Sequence, residues 1–272
     1  AVKMPVVPFH TWLPDAHVEA PTGGSVLLAG VLLKMGGYGL IRIAFSLMPE
    51  AAVHYAWYMA ILGVISMAYG AFLALGQDDL KKMIAYSSVS HMGFVVLGMA
   101  ALNAKGFNGA VFQMFAHGLI SGMLFMLCGI LQHSTQTRLI SQLGGVATKM
   151  PKMSALFVFA CFASLGLPGL VGFVAEFNVF IGAFATYSTL ALCALFSIIL
   201  TAAYYLWAIE RAFFGIANPN LDDNLQDIQW FHTVPLVVLT ALILFFGVYP
   251  APVMEMVDVS TQVILNVVGG GL

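Results

Sequence analysis

The chain has 272 residues, of which 61% are hydrophobic and 8% charged, and its mean hydropathy is +0.95. A soluble domain carries about 25% charged residues, so this chain could not cover its own surface in water and reads as a membrane protein. The net charge of −2 provides no basic footprint for nucleic acid. Cys128, Cys161 and Cys193 stand far apart in apolar runs and read as small buried hydrophobes rather than a disulfide or cluster set.

The chain opens Ala-Val-Lys-Met-Pro, which resembles the tail of an interrupted helix with a portion missing upstream. Lys3 to Pro21 contains Pro5, Pro8, Pro14 and Pro21. So many missing N–H donors predict a short half-helix followed by a loop. Seven segments then satisfy the requirement of about 20 mostly apolar residues for a span: 22–48, 55–76, 83–102, 107–131, 150–183, 187–213 and 233–253. The fifth would make a helix of about 50 Å in a hydrocarbon core of about 30 Å. Gly166-Leu167-Pro168-Gly169 lies in its middle and predicts an interrupted helix; a simple proline kink is the alternative. The amphipathic stretch Met254 to Val268 reads as an interfacial helix, ending in Gly269-Gly270-Gly271. The expected fold class is therefore all-α, a polytopic helix bundle with about seven spans, one of them interrupted.

If the spans alternate, one side receives Lys81, Lys82, Arg138, Lys149, Lys152 and Arg211, and the other Lys105. The positive-inside rule then assigns the loops near 9–21, 77–82, 132–149 and 214–232 to the cytoplasm. Asp78, Asp79, Lys81 and Lys82 read as a solvated turn. Arg42, Glu50, Lys105 and Arg211 read as interfacial anchors, and Asp222, Asp223 and Asp227 as water-facing loop residues.

Two charged residues and two histidines fall well away from span ends. Lys34 sits between Leu33 and Met35, on one face with Gly30 and Gly37. A charge at the bilayer centre costs about 2.5–3.5 kcal/mol even on the mildest scale, so it marks either a proton carrier or a structural ion pair. Glu176 follows the Pro168 break by eight residues, with nothing close in sequence to neutralise it. It too reads as a carrier or a structural partner. His117 shares a face with Gln113 and Ser121, and His91 follows Ser87 and Ser88 by one turn. Either histidine can be a satisfied core residue or part of a polar relay. Neither has a second metal ligand at helical spacing, and no phosphate loop or Cys-x-x-Cys pattern is present.

The run from Lys3 to His17, continuing to Ala20-Pro21, resembles a hallmark of the antiporter-like subunits of NADH:quinone oxidoreductase (complex I). Leu32-Leu33-Lys34-Met35-Gly36-Gly37-Tyr38-Gly39, Asp79 to Gly93, Ala116-His117-Gly118, and Leu167-Pro168-Gly169 followed by Glu176 are similar to the chain 4 (subunit M) family. The resemblance implies two inverted five-helix repeats, each with one interrupted helix, of which this chain resembles the second half. Residues 1–21 would be the end of an interrupted helix plus loop, and 22–48 the last helix of the first repeat. The second repeat would span 55–213, a cytoplasmic loop 214–232, and the closing helix and tail 233–272.

The resemblance further implies roles in proton translocation. Lys3 is similar to the lysine of the first broken helix and Lys34 to the lysine linking two half-channels. His91 and His117 are similar to a polar relay, and Glu176 to the terminal carboxylate. It implies no cofactor and no metal in this chain, while the parent complex would use FMN, iron–sulfur clusters, NADH and quinone. Partners would be other membrane subunits, including neighbouring antiporter-like ones, and the lipid bilayer, with no nucleic acid. The expected location is a bacterial plasma membrane, with mitochondrial inner or thylakoid membranes as alternatives. Three other readings stay open: a multi-subunit cation/proton antiporter, a membrane-bound hydrogenase, or a scaffold without ion flux.

Overall fold

A computed structural model describes residues 1–216, 218, 219, 221 and 225–269. Asp222, Asp223, Gly270 and Gly271 therefore lie outside the described residues. The helices are α1 (Trp12–Glu19), α2 (Thr22–Phe45), α3 (Pro49–Leu75), α4 (Leu80–Ala100), α5 (Ala104–Thr135), α6 (Pro151–Ser164), α7 (Val171–Thr186), α8 (Ser188–Phe214), α9 (Trp230–Val248) and α10 (Ala251–Gly269). Seven helices among the described residues are long and apolar enough to cross a membrane. They are not the predicted seven. The fifth predicted span is split into α6 and α7, and α10 joins the set by length and composition.

The opening region reverses the expected order. Turns occupy residues 2–11 and the helix α1 follows them. Pro14 is accommodated in its first turn, where an N–H would have no intrahelical partner anyway. The sharpest correction concerns the turn before α4. Asp79 caps α4 by accepting from the Lys81 and Lys82 amides at 2.8 and 3.2 Å, and it also accepts from Arg138 Nε at 2.6 Å. Lys81 is not solvated: it is 5% exposed. A cysteine expectation also fails, since Cys128 and Cys161 are buried but Cys193 is exposed. Its helix, α8, turns that face outward, and lipid accepts a thiol as readily as the core does.

α4 is the axis of the bundle, 94% of its apolar window being buried. It packs along α3 through small residues. A Cβ on Gly70 would sit 2.7 Å from the Ser90 amide nitrogen, and one on Gly93 2.7 Å from the Gly63 carbonyl. Bare backbones thus approach closely, which is how helices associate where lipid removes the hydrophobic drive. α5 and α7 complete the shell around α4. α10 packs against α5 and the last turns of α2, and Asn108 Nδ2 donates to Asp258 Oδ1 at 2.6 Å. Those partners lie at the end of the bundle opposite Lys81 and Arg138.

Candidate functional site: a buried polar track

The break between α6 and α7 positions the acid. Gly166 has φ +78° and Gly169 φ +92°, a region that glycine reaches without steric cost. A Cβ on Gly166 would also lie 2.7 Å from Glu176 Oε2. The glycine therefore serves the turn and makes room for the carboxylate. Glu176, on α7, is 6% exposed and points into the protein.

His91 on α4 is the neighbour that Glu176 lacks in sequence. Its Nδ1 lies 3.5 Å from Glu176 Oε1 and 3.4 Å from Gln113 Nε2. Its Nε2 lies 3.0 Å from Ser164 Oγ, at the end of α6. Ser164 Oγ is 2.8 Å from the Tyr205 hydroxyl, which donates to Ser87 Oγ at 3.1 Å. One nitrogen cannot satisfy both of its Nδ1 neighbours in one state. A protonated Nδ1 donates to the carboxylate; a bare Nδ1 accepts from the Gln113 amide. Among the described residues Gln113 Oε1 has no partner, so rotating the amide by half a turn would let Gln113 accept from a protonated Nδ1 instead. The cluster thus offers His91 a hydrogen-bonded arrangement with or without the proton.

Lys34 approaches from the other side. Its helix, α2, is interrupted by wide π-type turns at Leu28–Leu32 and Leu40–Phe45, a feature common at functional sites. The Lys34 ammonium donates to the Ala29 carbonyl and lies 2.7 Å from His117 Nδ1 on α5. Gly30 and Gly118 permit this: a Cβ on Gly118 would stand 3.0 Å from the Gly30 carbonyl and 3.9 Å from Lys34 Cε. The His117 and His91 rings are 5.5 Å apart by centroids. Gln113, His117, Ser121, His91, Ser164 and Glu176 line one small internal cavity of about 10 Å³ open to water centres, room for about one water.

Four of the five sequence-predicted residues, Lys34, His117, His91 and Glu176, thus form one series. Lys3 does not join it. Its backbone packs beside Gly36, but its side chain is exposed and, among the described residues, makes no hydrogen bond or ion pair with the other four. Sequence reasoning missed Ser164 and Tyr205, because a hydroxyl on an apolar helix carries no periodic signal. Among the described residues no group of three or more His, Cys, Asp or Glu side chains could hold a metal ion.

Comparison with known proteins agrees with this architecture. Residues 1–201 match the family described as NADH:quinone oxidoreductase/Mrp antiporter, TM. The chain is 46% identical over 270 residues to F(420)H(2) dehydrogenase subunit M of Methanosarcina mazei, covering 98% of this chain and 54% of that protein. It is 42% identical over 265 residues to NADH-quinone oxidoreductase subunit M of Rickettsia bellii, covering 97% and 54%. A chain of respiratory complex I from Thermus thermophilus superposes with a TM-score of 0.91 at 31% identity, covering 98% of this chain and 56% of that one. The chain spans about half the length of the curated relatives it matches. With its broken helix, its polar track and these matches together, this multi-pass membrane chain belongs to the NADH:quinone oxidoreductase/Mrp antiporter family and is similar to subunit M chains within it.

Proposed function

We propose that the chain is part of a membrane-arm subunit that translocates protons, driven by electron transfer from NADH to quinone in other subunits. The observation that carries this reading is the series Lys34–His117–His91–Glu176, in which Lys34 and His117 are 2.7 Å apart, His91 and Glu176 are 3.5 Å apart, and a cavity with room for about one water adjoins both histidines. A proton-transfer step needs such reach, about 2.6–3.2 Å or one bridging water.

The steps follow the geometry. The Lys34 ammonium gives a proton to His117 Nδ1 at 2.7 Å. His117 releases its other ring proton toward the cavity that it lines. Water and Ser164 pass a proton to His91 Nε2, and His91 gives the one on Nδ1 to Glu176. The Gln113 amide then occupies the bare Nδ1. Each transfer leaves a hydrogen-bonded state behind it, which limits the cost of moving charge through a low-dielectric interior. Lys3, exposed and outside the series, has no step here.

The physiological partners in this reading are other membrane subunits of the complex, including neighbouring antiporter-like subunits, within a lipid bilayer. The carriers do not select an electron donor, because the donor is met in other subunits. A second reading, a subunit of a cation/proton antiporter, is favoured by the family description, which joins both classes. The test is proton pumping by the intact assembly in vesicles, normalised to electron flux and to the amount of assembled complex. Lys34→Ala and Glu176→Gln are expected to assemble and to pump poorly. Normal pumping in either would remove that residue from the carriers. Sodium-dependent transport without electron flux would favour the antiporter reading.

A further inference from the structure

Lys81 is a buried cation that the track does not use. The last carbonyls of the short helix α1 are held by three side chains from three elements. Lys81 Nζ donates to the Ala20 carbonyl at 2.7 Å, and Ser25 Oγ to that of His17 at 3.1 Å. Arg138 Nη1 reaches that of Val18 at 3.5 Å. A cationic donor is well placed at a helix C-terminus, where unsatisfied carbonyls carry the negative end of the helix dipole. Arg138 and Lys81 are coupled through Asp79, which accepts from Arg138 Nε and caps the helix bearing Lys81.

This bundle of contacts stands at a boundary. On its outer side is a cleft of about 440 Å³ in the basic face of the bundle, lined by Ala20, Lys81, Gln132, His133 and Arg138. On its inner side the side chains are buried. His17 is fully buried, its ring stacked on Phe125 at 4.3 Å, and among the described residues neither of its nitrogens has a hydrogen-bond partner. Phe125 stands about two helical turns from His117, the partner of Lys34, on α5, so this buried region runs from the cleft toward the Lys34 end of the track. The Cys128 thiol, also buried, lies on α5 between Phe125, which stacks on His17, and Gly129 and Gln132, which line the cleft.

We infer that Lys81 is a positioning residue: it latches the C-terminal end of α1 across the inner wall of the cleft and separates basic-face water from the Lys34 end of the track. The inference rests on the proton-track reading for its consequence, but the latch itself is testable without it. Cys128 reports the latch and Cys161, deep in the core, reports general loosening. The assembled complex in membranes is treated with a small water-soluble maleimide, and labelling at each cysteine is quantified by peptide mass spectrometry.

Losing a charge-assisted hydrogen bond is expected to raise Cys128 labelling about ten-fold or more in Lys81→Met, with Cys161 still protected. Lys81→Arg, which can donate to the same carbonyl, is expected to restore protection. Labelling of Cys128 in Lys81→Met no faster than in the unaltered chain would overturn the latch. If Lys81→Met also exposes Cys161, Lys81→Gln decides: Cys128 labelled with Cys161 protected supports the latch, and no gain overturns it. Proton pumping in the same vesicles separates the two ideas. A Lys81→Met complex with an open latch and undiminished pumping per electron would count against the track reading, not against the latch.

Discussion

α4 and α9 are both apolar enough to span a membrane, yet they occupy opposite environments. The apolar window of α4 is 94% buried and that of α9 is 17% buried. The more hydropathic of the two is α9, the exposed one. α4 carries Ser87, Ser88, Ser90 and His91, all buried, whereas α9 presents Val234, Val237, Val238, Leu244 and Phe245 outward. In a bilayer the surface helix pays the solvation bill in methylene groups, and the interior helix is where polar side chains find partners. Between these two helices, the more hydropathic one faces outward and the less hydropathic one carries the polar interior.

That contrast can be broken or sharpened by substitution. The largest effect is expected from Glu176→Gln, which keeps shape but removes the carboxylate facing His91 of α4. Pumping per electron should fall about ten-fold or more, the scale of losing an acid–base group, and pumping within two-fold of normal would show that the carboxylate is structural. Gly70→Val tests the packing of the interior helix. Its side chain would meet the Ser90 amide, and overpacking of this kind costs about 1–3 kcal/mol. The expected readout is a lower thermal stability of the detergent-solubilised complex; unchanged stability would mean that α3 and α4 can separate freely.

His117→Ala should reduce pumping by an intermediate amount, since water can occupy part of the space it leaves. Ser121→Ala should do little, because its hydroxyl, although it lines the cavity, donates to the His117 carbonyl at 2.5 Å rather than to a carrier. Pumping assays on the two variants rank them, and an effect of Ser121→Ala equal to that of Glu176→Gln would make the stripe a packing feature. The smallest effect belongs to α9. Val238→Leu on its exposed face should change stability by no more than about 0.5 kcal/mol. A larger loss in the same thermal assay would mean that this face meets protein rather than lipid.

The amino-acid pattern by itself determined the class, the positions of six of the seven long helices and the break at Gly166–Gly169. Each follows from a local quantity: apolar length against bilayer thickness, or missing N–H donors and positive φ in a short window. It also singled out Lys34, His91, His117 and Glu176, because a charge or an imidazole in an apolar run is costly wherever the helix turns it. Which of them meet was decided by tertiary structure alone. Lys34 and His117 are 83 residues apart in the chain and His91 and Ser164 are 73 apart. Their contacts depend on the rotation of each helix about its axis, and that rotation is set by glycine contacts such as Gly30 against Gly118. The same limit explains Lys81. Its sequence neighbours Asp78, Asp79 and Lys82 describe a wet turn, and only the docking of α1, 61 residues earlier, turns its ammonium inward to a carbonyl that no local pattern could reveal.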